Sequence, residues 1–133
     1  DSRFATSGIN GGLFCSTPSV PVSRNLGRKQ AMELLLTGHF IDAHTALQWG
    51  LVNRVVPASR LDQEVAELAG SIMSKSWVAV ATGKRMFYKQ LELPLESAYD
   101  YASGVMAGNM MADDVEEGVD AFMQKRTPVW KHQ

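Results

Sequence analysis

Apolar and polar positions follow two different patterns along this chain, and the change comes near Gly27. Before it, short apolar runs lie among Gly8, Gly11, Gly12, Pro18 and Pro21 without a helical repeat. That part predicts extended and turn structure, and FATSGINGG (Phe4 to Gly12) reads as a strand running into a glycine-rich turn. Beyond Gly27 the period becomes helical almost to the end. GRKQAMELLLTG predicts a helix with Ala31, Leu34, Leu35 and nearby Met32 as its apolar stripe, stopped by Gly38. Asp42 then caps a short helix, AHTALQW, whose Ala43, Ala46 and Leu47 share a face and which Gly50 ends. LVNRVVP reads as a short extended piece, stopped where Pro57 removes a backbone donor.

Four longer helices follow. Ser59 begins the first, with Leu61, Val65, Leu68, Ala69 and Ile72 at i, i+4, i+7, i+8 and i+11, a strongly amphipathic spacing. Ser76 caps the second, which runs to about Lys89 and leaves Lys84, Arg85 and Lys89 solvated. Pro94 opens the third, through Ala98, Ala102, Val105 and Met106 to Met110. Asp113 and Glu116 have the spacing of a capping box at the start of the fourth, with acid at the positive end of the dipole. Its apolar face is Val115, Val119, Phe122 and Met123. The expected body is helical.

Composition narrows the class of function. The chain has 133 residues, 45% hydrophobic and 20% charged, ordinary proportions for a globular protein with a real core. Thirteen basic residues against fourteen acidic leave no field to attract nucleic acid or an anionic membrane. The single cysteine allows no internal disulfide, which suits a reducing compartment. No apolar run approaches the roughly 18–20 residues of a spanning helix, and DSRF lacks the regions of a signal peptide. An intracellular chain with no nucleic-acid or membrane partner is expected.

The chemically suggestive residues each have a plainer reading. Cys15, alone between Phe14 and Ser16, reads as a small buried hydrophobe. His39, His44 and His132 never fall in ligand spacing with Cys or acids, so no metal site is expected; His44 reads as a surface residue. DDVEE (Asp113 to Glu117) reads as capping and solvation at a helix start. GINGG lacks both the GK[ST] ending of a phosphate loop and the GxGxxG spacing of a dinucleotide site. Trp49, Trp77, Phe87, Tyr88, Tyr99, Tyr101 and Trp130 are expected in core or interface packing.

Two longer stretches carry more information. LTGHFIDAHTALQWGLVNRVVP (residues 36–57) and DDVEEGVDAFMQKRTPVW (residues 113–130), in this order and about 55 residues apart, resemble the C-terminal part of the enoyl-CoA hydratase/isomerase (crotonase) family. D-x-x-F-A at Asp1 to Ala5 resembles the strand end before that family's second catalytic segment, and SRNLGRKQAMELLLTG resembles its passage leading to the TG pair. The resemblance covers the whole chain.

It implies a mainly α fold with a short β part: the C-terminal portion of a crotonase-like α/β fold. Residues 1–58 would be the last spiral segment of the core, and 59–133 a helical oligomerisation region. It also implies that the two backbone N–H donors for the thioester oxygen, and the first catalytic glutamate, belong to segments preceding Asp1. The second glutamate falls in a pattern like F-A-x-P-E, where this chain reads Phe4-Ala5-Thr6-Ser7-Gly8. Gly8 therefore stands at the carboxylate position, as in a subset of the family similar to this sequence. Hydration needs a base for water and an acid for carbon; Gly8 supplies neither, and Ser7 has the wrong pKa for a general base. No catalytic residue is expected, and the 133-residue chain alone is expected to be inactive. In a full-length parent, restoring glutamate at Gly8 is expected to raise hydration if the rest of the site is intact.

The implied ligand is an acyl-CoA thioester of fatty-acid metabolism, bound or transformed by a lyase or isomerase, with no further cofactor. Phe122, Lys125 and Arg126 are the implied substrate-binding residues. Phe122 would pack on adenine and Lys125 would face phosphate, three residues on along the same side of the helix, with Arg126 a partner or a structural cation. A homo-trimer or hexamer in the cytoplasm or mitochondrial matrix is implied. Two readings stay beside this one: a non-catalytic acyl-CoA-binding or assembly subunit, and a stand-alone helical interaction domain.

Overall fold

Glycine and capping residues place most element boundaries where the pattern sets them. The structure, a computed structural model, describes residues 2–131, so Asp1 and His132 lie outside the described residues. The chain forms two compact units, Asp1–Glu64 and Val65–Gln133.

In the first unit, β1 (Arg3–Phe4) runs into a 3-10 turn (Ser7–Gly11), followed by α1 (Ser16–Asn25), α2 (Arg28–Thr37), β2 (Ile41–Asp42) and α3 (Ala43–Trp49). The two strands are antiparallel, pairing Arg3 with Asp42 and Phe4 with Ile41. Gly38 and Gly50 take left-handed conformations, φ 63° and 82°, and end α2 and α3, where a β-carbon would be disfavoured. Asp42 caps α3 by accepting from the Thr45 N–H at 2.7 Å. The core gathers Leu26, Ala31 and Leu34, with Val22, Ile41, Trp49 and Leu51 packed against it. Leu35 and Ala46 are also buried, whereas Met32 and Leu47 are exposed.

One expectation for this unit is corrected. Ser16–Asn25 is a helix although it lacks a helical period. Pro18 lies in its first turn, where a missing N–H has no intrahelical partner to lose. Pro21 lies inside it, and polar side chains bind the helical carbonyls around it: Ser19 Oγ donates to Ser16 O at 2.6 Å and Asn25 Nδ2 to Pro21 O at 2.8 Å. LVNRVVP forms neither helix nor sheet strand; the Leu51 N–H donates to Ala46 O at 2.8 Å and closes the end of α3.

A 3-10 turn (Ala58–Arg60) precedes α4 (Leu61–Met73), which therefore starts two residues after Ser59. The second unit continues with α5 (Trp77–Gln90), α6 (Leu95–Asn109) and α7 (Asp113–Met123). Ser76 caps α5 by accepting from the Ala79 N–H at 3.2 Å. The helices α5 and α6 pack together, with Lys89 Nζ 4.8 Å from the centre of the Tyr101 ring rather than merely solvated. The expected capping box of α7 does not form: Ala112 is the cap residue, Asp113 is already helical, and no side chain caps the end.

The apolar stripes of α4 and α7 are present, but Leu61, Val65, Leu68, Ile72, Val119, Phe122 and Met123 are exposed. A periodic stripe records what a helix is suited to cover, and nothing among the described residues covers these. Among the described residues no helix is long and apolar enough to cross a membrane.

Candidate functional site

Two loci carry the candidate residues, Gly8 in the first unit and the end of α7 in the second. At the first, Thr6 is buried and its hydroxyl donates to Leu34 O at 2.7 Å, fastening the strand end to α2. The chain then closes on itself, with the Gly12 N–H donating to Ile9 O at 3.1 Å and the Leu13 N–H to Gly8 O at 3.0 Å. The far side of the turn rests on the end of α2. A β-carbon at Gly38 would lie 2.8 Å from Ile9 Cγ2 and from Asn10 Oδ1. The TG pair thus gives the turn a surface on which to pack closely.

Gly8 is sterically required where it stands. A β-carbon there would lie 2.8 Å from Cys15 Sγ and 2.9 Å from Leu13 O, closer than carbon tolerates. The position where the resemblance sets a carboxylate therefore lacks room for its stem. Cys15 is half-buried beside it. His39 and His44 are exposed, and among the described residues no group of three His, Cys, Asp or Glu is placed to hold a metal.

At the second locus α7 does not run on through Lys125. It ends at Met123, with the Arg126 N–H donating to Ala121 O at 3.0 Å and the Lys125 N–H to Phe122 O at 3.2 Å. This is a Schellman ending, in which the left-handed residue is usually glycine. Here it is Lys125, φ 54°, the one non-glycine residue with positive φ among those described. The expected helical three-residue relation of Phe122 and Lys125 is therefore corrected: both are exposed at the same helix end, but they do not share a helical face. Phe122 is 81% exposed. Among the described residues Lys125 enters no ion pair.

Arg126 has a different environment. Its Nη1 and Nη2 donate to Glu117 Oε1 and Oε2 at 2.5 and 2.8 Å, and Glu117 Oε1 also accepts from the Val129 N–H at 2.7 Å. Trp130 Nε1 donates to Ser74 O at 2.8 Å, and the Trp130 ring lies 3.5 Å from where a Gly118 β-carbon would be. Asp114, only 4% exposed, accepts from Ser76 Oγ at 2.5 Å and from the Lys131 N–H at 2.7 Å. Residues 126–131 are thereby strapped along α7.

The reading of DDVEE as capping and solvation therefore holds only in part. Asp114 and Glu117 bind the tail, and their role lies in contacts that local helix rules do not contain. The signal was the nine-residue separation of Glu117 from Arg126 within D-x-x-E-G-x-x-A-F-x-x-K-R-x-P-x-W.

Hydrogen bonds from Arg126, and then from the Val129 N–H, pull Glu117 down from an ordinary 4.5 to about 2. The same contact raises Arg126. A depressed carboxylate contributes stability that is full above its unfolded value and is lost as pH falls through its folded one. The strap is thus expected to stay intact above pH 4.5 and to release as pH falls toward about 2. The Trp130 indole N–H resonance reports this; a Glu117→Gln variant is expected to lose that pH dependence, and an unchanged profile would count against the clamp.

The sequence model described as enoyl-CoA hydratase/isomerase matches residues 1–133. The mitochondrial enoyl-CoA hydratase domain-containing protein 3 of Rattus norvegicus is 50% identical over 131 residues, 98% of this chain and 44% of that protein. A crystal structure of enoyl-CoA hydratase from Mycobacterium smegmatis superposes with a TM-score of 0.95 at 54% identity, covering 98% of this chain and 51% of that one. The crystal structure of the human enoyl-coenzyme A hydratase domain-containing protein 3 gives 0.92 at 48% identity, covering 97% and 51%. The chain spans about half the length of these relatives.

Proposed function

The chain belongs to the enoyl-CoA hydratase/isomerase family, and from that premise we propose that it is the C-terminal part of a protein that binds or acts on acyl-CoA thioesters in fatty-acid metabolism. The observation that carries the reading is the exposed end of α7, where Phe122 offers a ring and Lys125 an ammonium that enters no ion pair among the described residues. An aromatic face suits adenine and a lysine suits phosphate as a point charge. Arg126 is engaged by Glu117, so its part is the structural one. No cofactor beyond the CoA thioester is invoked.

A specific observation also favours the non-catalytic form of this reading. The crowding around Gly8 leaves no place for a carboxylate at the expected acid-base position. Binding separates both forms from a stand-alone helical interaction domain, and turnover separates them from each other.

Calorimetric titration of CoA into the native polypeptide tests the proposal. Lys125→Ala is expected to weaken binding about tenfold, the scale of one hydrogen bond to a charged group, and binding is expected to weaken as salt rises. Arg126→Ala should also weaken it, because it frees the tail. Unchanged affinity in both variants would return these residues to a purely structural role.

Self-association into a homo-trimer or hexamer forms part of the same reading. Exposed Met106, Met110 and Met111 give residues 95–125 an adaptable apolar surface. Light scattering at high micromolar concentration is expected to give a multiple of three; a strict monomer would contradict it. The relatives named mitochondrial make the mitochondrial matrix the compartment we favour over the cytoplasm.

A further inference from the structure

We propose that Glu117 is a positioning residue, aiming the Lys125 ammonium at the phosphate of a bound CoA by holding the left-handed turn from which it projects. The inference rests on the reading of Lys125 given above. A lysine with φ 54° occupies a conformation that L-residues avoid, and it persists only when its surroundings over-determine it. Here they do so on both sides. The Lys125 N–H is held by Phe122 O on the helix side, and the next residue is fixed twice, by its N–H on Ala121 O and by its guanidinium on Glu117.

One carboxylate is the centre of that restraint. Glu117 accepts both arms of the Arg126 fork and the Val129 N–H, so it fixes the chain immediately after Lys125 and again three residues further on. Its side chain is only 15% exposed, so water has little access to compete for those bonds. The arrangement separates the two adjacent cations by task. Arg126, with its planar fork, is consumed in the restraint, whereas Lys125 is exposed and enters no ion pair among the described residues.

The sign of the effect distinguishes positioning from simple electrostatics. Removing an anion near a phosphate-binding lysine strengthens anion binding by Coulomb's law alone, and freeing Arg126 adds a second available cation. Both effects predict tighter CoA binding in Glu117→Gln. Loss of aim predicts the reverse.

The test is calorimetric titration of CoA into the native polypeptide and its Glu117→Gln, Lys125→Ala and doubly substituted variants at two salt concentrations. Arg126→Lys is measured beside them, since it keeps every charge and removes the fork. Glu117→Gln and Arg126→Lys are each expected to weaken binding roughly three- to tenfold. The double variant should bind no more weakly than Lys125→Ala, because residues acting through one group are non-additive. The salt dependence of Glu117→Gln should fall toward that of Lys125→Ala. Affinity equal to or tighter than the parent in Glu117→Gln, with Lys125→Ala weakened, would overturn the positioning role and leave the CoA contact standing. Unchanged affinity in Lys125→Ala would instead overturn the contact itself. Loss of folding in both Glu117→Gln and Arg126→Lys would also overturn the proposal, since the carboxylate would then hold the unit together rather than direct one side chain.

Discussion

Alanine at position 8 is expected to destabilise the chain by about 1–3 kcal/mol, the usual range for an atom forced into a packed site. The new β-carbon meets two atoms of different kinds. Cys15 Sγ, 2.8 Å away, belongs to a side chain that can rotate. Leu13 O, 2.9 Å away, belongs to backbone whose N–H donates to Gly8 O and closes the turn. Moving that carbonyl strains the 3.0 Å closure. A Cys15→Ala background is therefore expected to recover only part of the loss. Denaturant unfolding of the two single variants and the double variant measures this, and a Gly8→Ala unfolding free energy within a few tenths of a kcal/mol of the parent would refute the steric account.

The consequence for glutamate is direct. A carboxylate at position 8 shares the same β-carbon, so it must displace the 11–15 loop before it meets any substrate. Glycine here belongs to the packing of the loop around it.

Local chemistry made much of the fold legible in advance. Asp42 and Ser76 announce helix starts, and Gly38 and Gly50 announce stops, because a cap or a left-handed ending depends on one or two residues. The helix α1 was illegible for the opposite reason: its prolines break the pattern, while its packing against α2 lies outside any local window. The stripes of α4 and α7 were visible as periods, yet a period does not tell whether the covering surface lies within this chain. At the candidate site, Gly8 was legible only as a missing acid, not as a crowded position. The turn at Lys125 depends on Glu117, whose hold on Arg126 spans nine residues and follows no helical spacing.

Crotonyl-CoA incubated with the 133-residue chain is expected to remain unhydrated. Addition of water across the double bond requires a base to take a proton from water and an acid to return one to carbon, each worth about 10²–10⁴ in rate. At Gly8 there is no group for either task, and the neighbouring Ser7 is a hydroxyl with the wrong pKa for a general base. The resemblance sets the two thioester-oxygen donors in segments before Asp1, and loss of one such donor alone costs about 10²–10³. These losses compound, so no rate above that of buffer is expected.

The chain is proposed to combine a CoA-contacting end of α7 with an acid-base position, Gly8, that holds neither acid nor base. Chromatography of the thioester recovered from a stoichiometric mixture of this chain with crotonyl-CoA tests that union most directly, read beside the binding heat of the same mixture. The predicted result is salt-weakened binding with crotonyl-CoA recovered unchanged. Formation of 3-hydroxybutyryl-CoA in proportion to the amount of chain, or the absence of any binding, would contradict it.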